Sequence, residues 1–152
     1  MKEFIGEFLG TFILVLLGDG VVAGNVLKNT KEEGTGWSSI VFGWGIACTV
    51  AVYVAGLFSP AHLNPAVTIA MAATESLAWS KVLLYIVAQL LGAMFAAVIL
   101  WLHYYPHFKE TKDSGAILGM FSTAPAIRHT PSNFFGEALG TAVLVITIMA
   151  IG

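Results

Sequence analysis

The residues best suited to chemistry lie in one short segment, 59–68, which reads Ser-Pro-Ala-His-Leu-Asn-Pro-Ala-Val-Thr. Asn64 is a good N-cap and Pro65 suits the first position of a helix, so a helix is predicted to begin at Pro65. The positive end of its dipole and the Asn64 amide would disfavour cations and protons. This chemistry suits neutral molecules. The alternative is that Asn-Pro only begins a helix, as it does in many proteins.

Composition indicates that a bilayer surrounds most of this chain. Of its 152 residues, 57% are hydrophobic and 11% are charged, and its mean hydropathy is +0.83. Charged residues make up about a quarter of an ordinary soluble domain. A net charge of −2 leaves no basic surface for nucleic acid. The single cysteine, Cys48, excludes an internal disulfide framework.

A membrane-crossing helix takes roughly 20 apolar residues, and four segments reach that length, at about 4–27, 38–58, 80–104 and 132–152. The predicted fold is therefore an all-α membrane protein. The apolar stretch 60–73 is too short to cross, and a helix starting at Pro65 would span roughly half the hydrocarbon thickness. We predict a re-entrant loop and half-helix over about 59–75 and a long aqueous loop over 105–131.

The backbone ahead of the predicted half-helix offers a second chemical feature. Two prolines, Pro60 and Pro65, keep the residues between them out of a regular helix. Non-helical backbone inside a membrane is tolerated only where it is buried in protein or lines a watery cavity. We therefore expect a row of hydrogen-bond acceptors for hydroxyl-bearing solutes, formed by the carbonyl groups of Pro60, Ala61, His62 and Leu63.

One motif occurs twice in the chain. Residues 4–16 and 134–146 are identical at eight of thirteen positions, including Gly-Glu-x-Leu-Gly-Thr. If 59–75 is re-entrant, three crossings separate the two copies, and they run through the membrane in opposite directions. Inverted repeats of this kind place a pathway at the midplane in many transport proteins. A full crossing by 59–75 would make the repeat parallel instead.

Each copy of the motif carries a carboxylate inside a predicted span, Glu7 and Glu137. An acidic residue at the centre of a membrane helix costs about 2.5–3.5 kcal/mol, so each carboxylate needs a partner. We predict that Glu7 accepts hydrogen bonds from the irregular 59–64 backbone and that Glu137 supports an equivalent loop of the second repeat. The alternative is that both lie near the membrane interfaces.

Trp44 is predicted to lie inside the second span, about 9 Å from its start. That is deeper than an interfacial aromatic belt would place a tryptophan. Its indole would offer an apolar wall to the carbon side of a polyol. The alternative is a tryptophan that faces lipid or packs between helices.

Catalytic and metal chemistry have little support in the sequence. His103 and His107 have the spacing of helical metal ligands, but Pro106 interrupts that turn. We find no combination of nucleophile, base and orienting residue. Neither enzyme activity nor a metal or other cofactor is expected.

Together these motifs resemble the aquaporin superfamily. The stretch from His62 to Thr68 is similar to its first pore loop, and the two Glu motifs are similar to its paired helices. Gly-Trp-Gly at 43–45 and Phe-Ser-Thr-Ala-Pro at 121–125 resemble the bacterial glycerol facilitators. The resemblance covers essentially the whole chain.

The resemblance implies an inverted-repeat bundle of six spans and two half-helices. Residues 1–152 would hold its first repeat, with three spans and one half-helix, and the first span of the second repeat. It also implies passive flux of glycerol, other small neutral solutes and water across the cell membrane, in a homotetramer with one pore per subunit. Asn64, Pro65 and Ala66 would form the constriction, and Trp44 would belong to the selectivity filter.

The chain departs from that family in two respects. Pro60 stands where many members have glycine, although its carbonyl group remains. Residues 1–152 contain one Asn-Pro-Ala and one arginine, Arg128, which lies in the predicted aqueous loop. A second pore loop and the filter arginine are thus missing from them. We expect a single truncated channel domain that does not conduct alone. The alternatives are a broken-helix secondary transporter or a fragment that assembles with partners.

Orientation is predicted differently by charge and by resemblance. Two lysines lie on the side of the N-terminus, against five lysines and arginines on the other side, and the positive-inside rule would place the N-terminus outside. The resemblance implies an internal N-terminus. We follow the resemblance, because the 105–131 loop holds three of the five charges.

Overall fold

The computed structural model describes residues 1–151, which form helices and connecting turns without strands. In chain order the helices are α1 Lys2–Val26, α2 Trp37–Ala55, α3 Pro65–Ala73, α4 Trp79–His103, α5 Tyr105–Glu110, α6 Ser114–Phe121 and α7 Thr130–Ile151. By length and composition, α1, α2, α4 and α7 can each cross a membrane. The predicted all-α membrane fold is confirmed.

The four long helices begin and end within three residues of the predicted spans. The largest difference is at the end of α2, which stops at Ala55 and is followed by a turn at Gly56. Pro60 lies shortly beyond, where a continuing helix would lose a backbone hydrogen bond. Residue 152, the predicted end of the last span, lies outside the described residues.

Helix α1 packs between α2 and α4. It runs parallel to α4, because Lys81 Nζ lies 2.8 Å from Glu3 Oε1 near the start of both helices, and Tyr104 OH donates to Gly20 O at 3.2 Å near the end of both. Close approach to α2 depends on glycine: a Cβ atom added at Gly18 would lie 2.5 Å from the ring of Trp44. Small residues allow membrane helices to pack at such short separation.

The segment 56–78 leaves and rejoins the bundle at the same end. Ser59, just after α2, contacts Gly6 near the start of α1, and Lys81 at the start of α4 pairs with Glu3. Between them, α3 is nine residues long, or about 14 Å. This is about half of a 30 Å hydrocarbon core. The chain therefore enters the helical layer and turns back, as the predicted re-entrant half-helix requires.

The predicted loop 105–131 contains two short helices, α5 and α6, which the sequence analysis missed. Pro106 lies in the first turn of α5, where proline is tolerated. Asp113 caps α6 by accepting hydrogen bonds from two backbone N–H groups, at 2.8 and 3.2 Å. Met120 of α6 is buried against the ends of α1 and α4. Such burial stabilises a helix that is too short to be stable in isolation.

Candidate functional site

Asn64 is the N-cap of α3. Its backbone is extended, with φ −153° and ψ 128°, and its Oδ1 accepts a hydrogen bond from Ala66 N at 2.8 Å. Pro65 occupies the first turn of the helix. The cap therefore uses the side-chain oxygen of Asn64, and its amide Nδ2 is the group left to donate to another molecule.

The backbone ahead of α3 has an uncommon conformation. Ala61 and Leu63 have positive φ angles of 57° and 52°, which cost a non-glycine residue about 1–3 kcal/mol each. Within residues 1–151, no backbone N–H group donates to the carbonyl oxygens of residues 60–63. Such strain persists only where the surrounding structure determines it.

Glu7 of α1 provides the contacts that hold this backbone. Its Oε1 accepts from Ser59 Oγ at 2.8 Å and from His62 N at 3.0 Å, and its Oε2 accepts from Leu63 N at 2.8 Å. The Glu7 side chain is completely buried. Hydrogen bonds to a charged group contribute about 1.5–3 kcal/mol each. Three of them exceed the cost of about 2.5–3.5 kcal/mol for placing the carboxylate in a membrane helix.

Two glycines allow α1 to approach the segment closely enough for these bonds. A Cβ atom at Gly6 would lie 2.7 Å from Ser59 Cβ and 2.9 Å from Ser59 N. At Gly10, a Cβ atom would collide with the Leu63 side chain of the segment and would lie 2.7 Å from Ala55 Cβ of α2. A larger residue at either position would require α1 or its neighbours to shift.

Two further residues belong to this polar cluster: Gln89, which was not predicted from the sequence, and Thr68, which lies in the predicted segment 59–68 but was given no role of its own. Gln89 Nε2 of α4 donates to Glu7 Oε2 at 2.8 Å and to Thr68 Oγ1 at 3.0 Å. His62 Nδ1 lies 3.3 Å from the same Thr68 oxygen. The signal that could have identified Gln89 is its position in the middle of a strongly apolar helix, where an uncharged polar side chain also needs a partner.

Trp44 lies on α2, away from this cluster. It is half-buried, with its ring against Gly18 of α1. It lines a mostly apolar cavity of about 520 Å³ between α1, α2 and α6. The indole thus borders a partly open cavity and also packs against α1.

The second copy of the motif does not join the site. Glu137 is exposed on α7, and none of the described α7 residues is buried. A Cβ atom at Gly136 or Gly140 would meet nothing within 4 Å. Where α1 contacts the re-entrant segment, the equivalent surface of α7 faces open space in residues 1–151.

The histidines near the end of α4 are separate from the site. His107 Nδ1 lies 2.8 Å from the carbonyl oxygen of Lys28, so this nitrogen carries the proton and donates. Among the described residues, no three metal-ligating side chains of the His, Cys, Asp or Glu type come together.

Four helices can cross the membrane, and a half-helix lies among them with a buried carboxylate near its N-terminus. This arrangement defines a multi-pass membrane protein with a re-entrant segment. Comparison with known protein families makes this specific. The chain belongs to the major intrinsic protein family, whose model matches residues 1–152. The resemblance inferred from the sequence motifs is therefore confirmed.

Two curated relatives are glycerol uptake facilitator proteins. The chain is 56% identical over 152 residues to the one from Streptococcus pneumoniae (strain ATCC BAA-255 / R6), covering 100% of this chain and 65% of that protein. It is 49% identical over 152 residues to the one from Bacillus subtilis (strain 168), covering 100% of this chain and 56% of that protein. The chain thus spans less than two thirds of the length of either relative.

A solved structure agrees with this assignment. The X-ray structure of the aquaglyceroporin from Plasmodium falciparum superimposes with a TM-score of 0.67 and 37% sequence identity, over 73% of this chain and 45% of that chain. Over that part of the chain, the helical arrangement described above is similar to that of the solved aquaglyceroporin.

Proposed function

We propose that this chain contributes the first pore loop of a membrane channel that passes glycerol, other small neutral solutes and water, passively and in both directions. The observation that carries the proposal is the start of α3, where the half-buried N-cap residue Asn64 follows a backbone segment that Glu7 holds in place. Two relatives named glycerol uptake facilitator proteins support the choice of solute.

A polyol needs acceptors for its hydroxyl groups, donors for its oxygen atoms and an apolar surface for its carbon atoms. The carbonyl groups of residues 60–63 would supply the acceptors, because no backbone group in residues 1–151 uses them. The Asn64 amide nitrogen would supply a donor, because the cap uses only its oxygen. The indole of Trp44 would supply the apolar wall.

Ions would be excluded at the same constriction. The N-terminus of α3 carries the positive end of its helix dipole, equivalent to about half an elementary charge. With Asn64, Pro65 and Ala66 at the narrowest point, this charge opposes the entry of cations and protons. Transport then needs neither catalysis nor a cofactor.

The complete pore would require more than residues 1–152. Glu137 would support a second loop as Glu7 supports the first, and its exposed surface on α7 is available for that contact. We place residues 1–152 as one truncated channel domain in the cell membrane, with a homotetramer as the assembly of the complete protein.

The test is a chimera in which this chain is followed by the remaining C-terminal third of the Streptococcus pneumoniae relative. Vesicles containing the chimera should swell in glycerol at a rate that rises in proportion to the glycerol gradient and needs no ion gradient. Asn64→Asp should reduce this rate, because a charge replaces the donor. Asn29→Asp, in the exposed α1–α2 connection, is the matched control and should leave the rate unchanged.

The rival hypothesis, a broken-helix secondary transporter, predicts a different result in the same vesicles. Its uptake would saturate at low glycerol concentration and would require an ion gradient. Either observation would refute the channel proposal. Equal rates for Asn64→Asp and Asn29→Asp would refute the role given to Asn64.

A further inference from the structure

We propose that Gln89 is a positioning residue for the pore asparagine, which it controls from α4 through Thr68. The inference rests on the proposed function, because it concerns the constriction at Asn64. It adds to that function a residue that touches neither the solute nor Asn64.

The amide nitrogen of Gln89 connects two elements at once. It lies 2.8 Å from Glu7 Oε2 on α1 and 3.0 Å from Thr68 Oγ1 on α3. A primary amide nitrogen has two hydrogen atoms, so both contacts can be made as donors at the same time. Gln89 is 2% exposed and Thr68 is 0% exposed, so water does not compete for either bond.

Thr68 transmits this contact to Asn64. Its Oγ1 accepts from Gln89 and donates its own hydrogen to Asn64 O at 3.1 Å. Its backbone nitrogen donates to the same carbonyl oxygen at 3.0 Å. The Asn64 carbonyl is thus held twice by Thr68, and Gln89 fixes the direction of one of these two bonds.

Glutamine suits this position better than other residues. Leucine or methionine would donate to neither partner. A protonated glutamate has one donor and could satisfy Glu7 or Thr68 but not both. A lysine would bring a charge into the membrane interior at additional cost. Two donors on one uncharged group therefore account for the residue type.

The cluster around Gln89 contains few titratable groups. On the facing elements they are Glu7 of α1 and His62 of the re-entrant segment, and Tyr85 lies one turn earlier on α4. None of these groups changes when Gln89 is replaced. A carboxyl group placed at position 89 would contact Glu7 directly, so the two would titrate as a coupled pair.

Gln89→Met and Gln89→Glu in the chimera with the Streptococcus pneumoniae relative test the inference. Glycerol flux is divided by the number of inserted channels, so that a lower yield of folded protein is not mistaken for a lower flux. Gln89→Met should lower this flux about tenfold, as expected when a positioning hydrogen bond is lost. Thr11→Val is the matched control, because Thr11 Oγ1 is buried without a hydrogen-bond partner within residues 1–151. It should leave the flux unchanged.

Gln89→Glu tests the inference through the pH dependence of glycerol flux, which would not change if Gln89 had only a structural role. Two buried carboxyl groups in contact cannot both ionise readily, so one keeps its proton at low pH and donates to the other. That single proton leaves no donor for Thr68, so flux per channel should already be about tenfold lower at low pH, as in Gln89→Met, and should fall further as the pH rises and the second ionisation places like charges together. The unsubstituted chimera should show no such dependence.

The outcomes separate this inference from the proposed function. Unchanged flux per channel in Gln89→Met, or a flat pH profile in Gln89→Glu, would overturn the inference while leaving the channel proposal intact. An unsubstituted chimera that passes no glycerol would overturn the proposed function and this inference with it.

Discussion

The repeated motif allows one substitution to be made twice in the same chain, once against a packed neighbour and once without one. Gly6 and Gly136 occupy equivalent positions of the repeat, each inside a long helix. A Cβ atom at Gly6 would lie 2.7 Å from Ser59 Cβ and 2.9 Å from Ser59 N, whereas at Gly136 it would meet nothing within 4 Å. Replacement of each by alanine therefore isolates the steric cost of the α1 contact.

Two terms set the expected magnitude. Alanine is favoured over glycine inside a helix by about 1 kcal/mol, and this gain applies at both positions. At Gly6 it is opposed by overpacking, at a cost of about 1–3 kcal/mol, because backbone atoms of Ser59 cannot rotate away as the end of a side chain can. Gly6→Ala should therefore be about 1–3 kcal/mol less stable than Gly136→Ala. For a chain of this size, that difference corresponds to about 2–12 °C in Tm.

Thermal unfolding of both variants and the unsubstituted chain in one detergent measures this difference. Gly136→Ala should unfold at or above the temperature of the unsubstituted chain, and Gly6→Ala below Gly136→Ala. Equal unfolding temperatures for the two variants would refute the direct contact between α1 and Ser59. In the chimera with a relative's C-terminal third, Gly136→Ala should lose its advantage if a second loop packs against α7.

Three further predictions concern orientation, the α1–α2 connection and the chain by itself. An internal N-terminus places the α1–α2 connection outside the cell. With Cys48 replaced by serine, a cysteine introduced by Lys31→Cys should therefore react with a membrane-impermeant reagent on intact cells. Labelling only after permeabilisation would favour the external N-terminus that the positive-inside rule predicts. Hydrogen bonds from Lys28 and from Asn29 N lower the pKa of Glu33, so these contacts should persist at neutral pH and be lost as the pH falls through that lowered pKa. An NMR titration that gives the Glu33 carboxyl a pKa at or above the usual value for glutamate would contradict this prediction. Residues 1–152 alone should insert without passing glycerol selectively, and flux through them alone would refute that expectation.

Local signals account for the parts that could be predicted from the sequence. The thickness of a bilayer fixes the length of a span, and Asn64-Pro65 fixes the start of α3. A carboxylate in an apolar span needs hydrogen-bond donors, so the sequence predicted that Glu7 would contact the 59–64 backbone. The structure contains hydrogen bonds from that backbone to Glu7. The roles of Asn64 and Trp44 in transport stay predictions.

The parts that were missed depend on contacts between distant elements. Gln89 meets Glu7 and Thr68 only because α4 packs parallel to α1 and beside α3, and neither packing direction can be read from one helix. Helix α6 gains stability from the burial of Met120 against α1 and α4. Its eight residues are fewer than the roughly 10–12 over which a helical pattern of apolar residues can be recognised in a sequence.

Every hydrogen-bond donor to Glu7 is synthesised long after Glu7 itself. Three of them follow by 52, 55 and 56 residues, and Gln89 follows by 82. At about 5–20 residues per second, roughly 4–16 s of translation separate Glu7 from its last donor. During that interval the nascent first helix carries a carboxylate without its partners. The full set of hydrogen bonds to Glu7 is complete only once Gln89 of α4 lies beside α1.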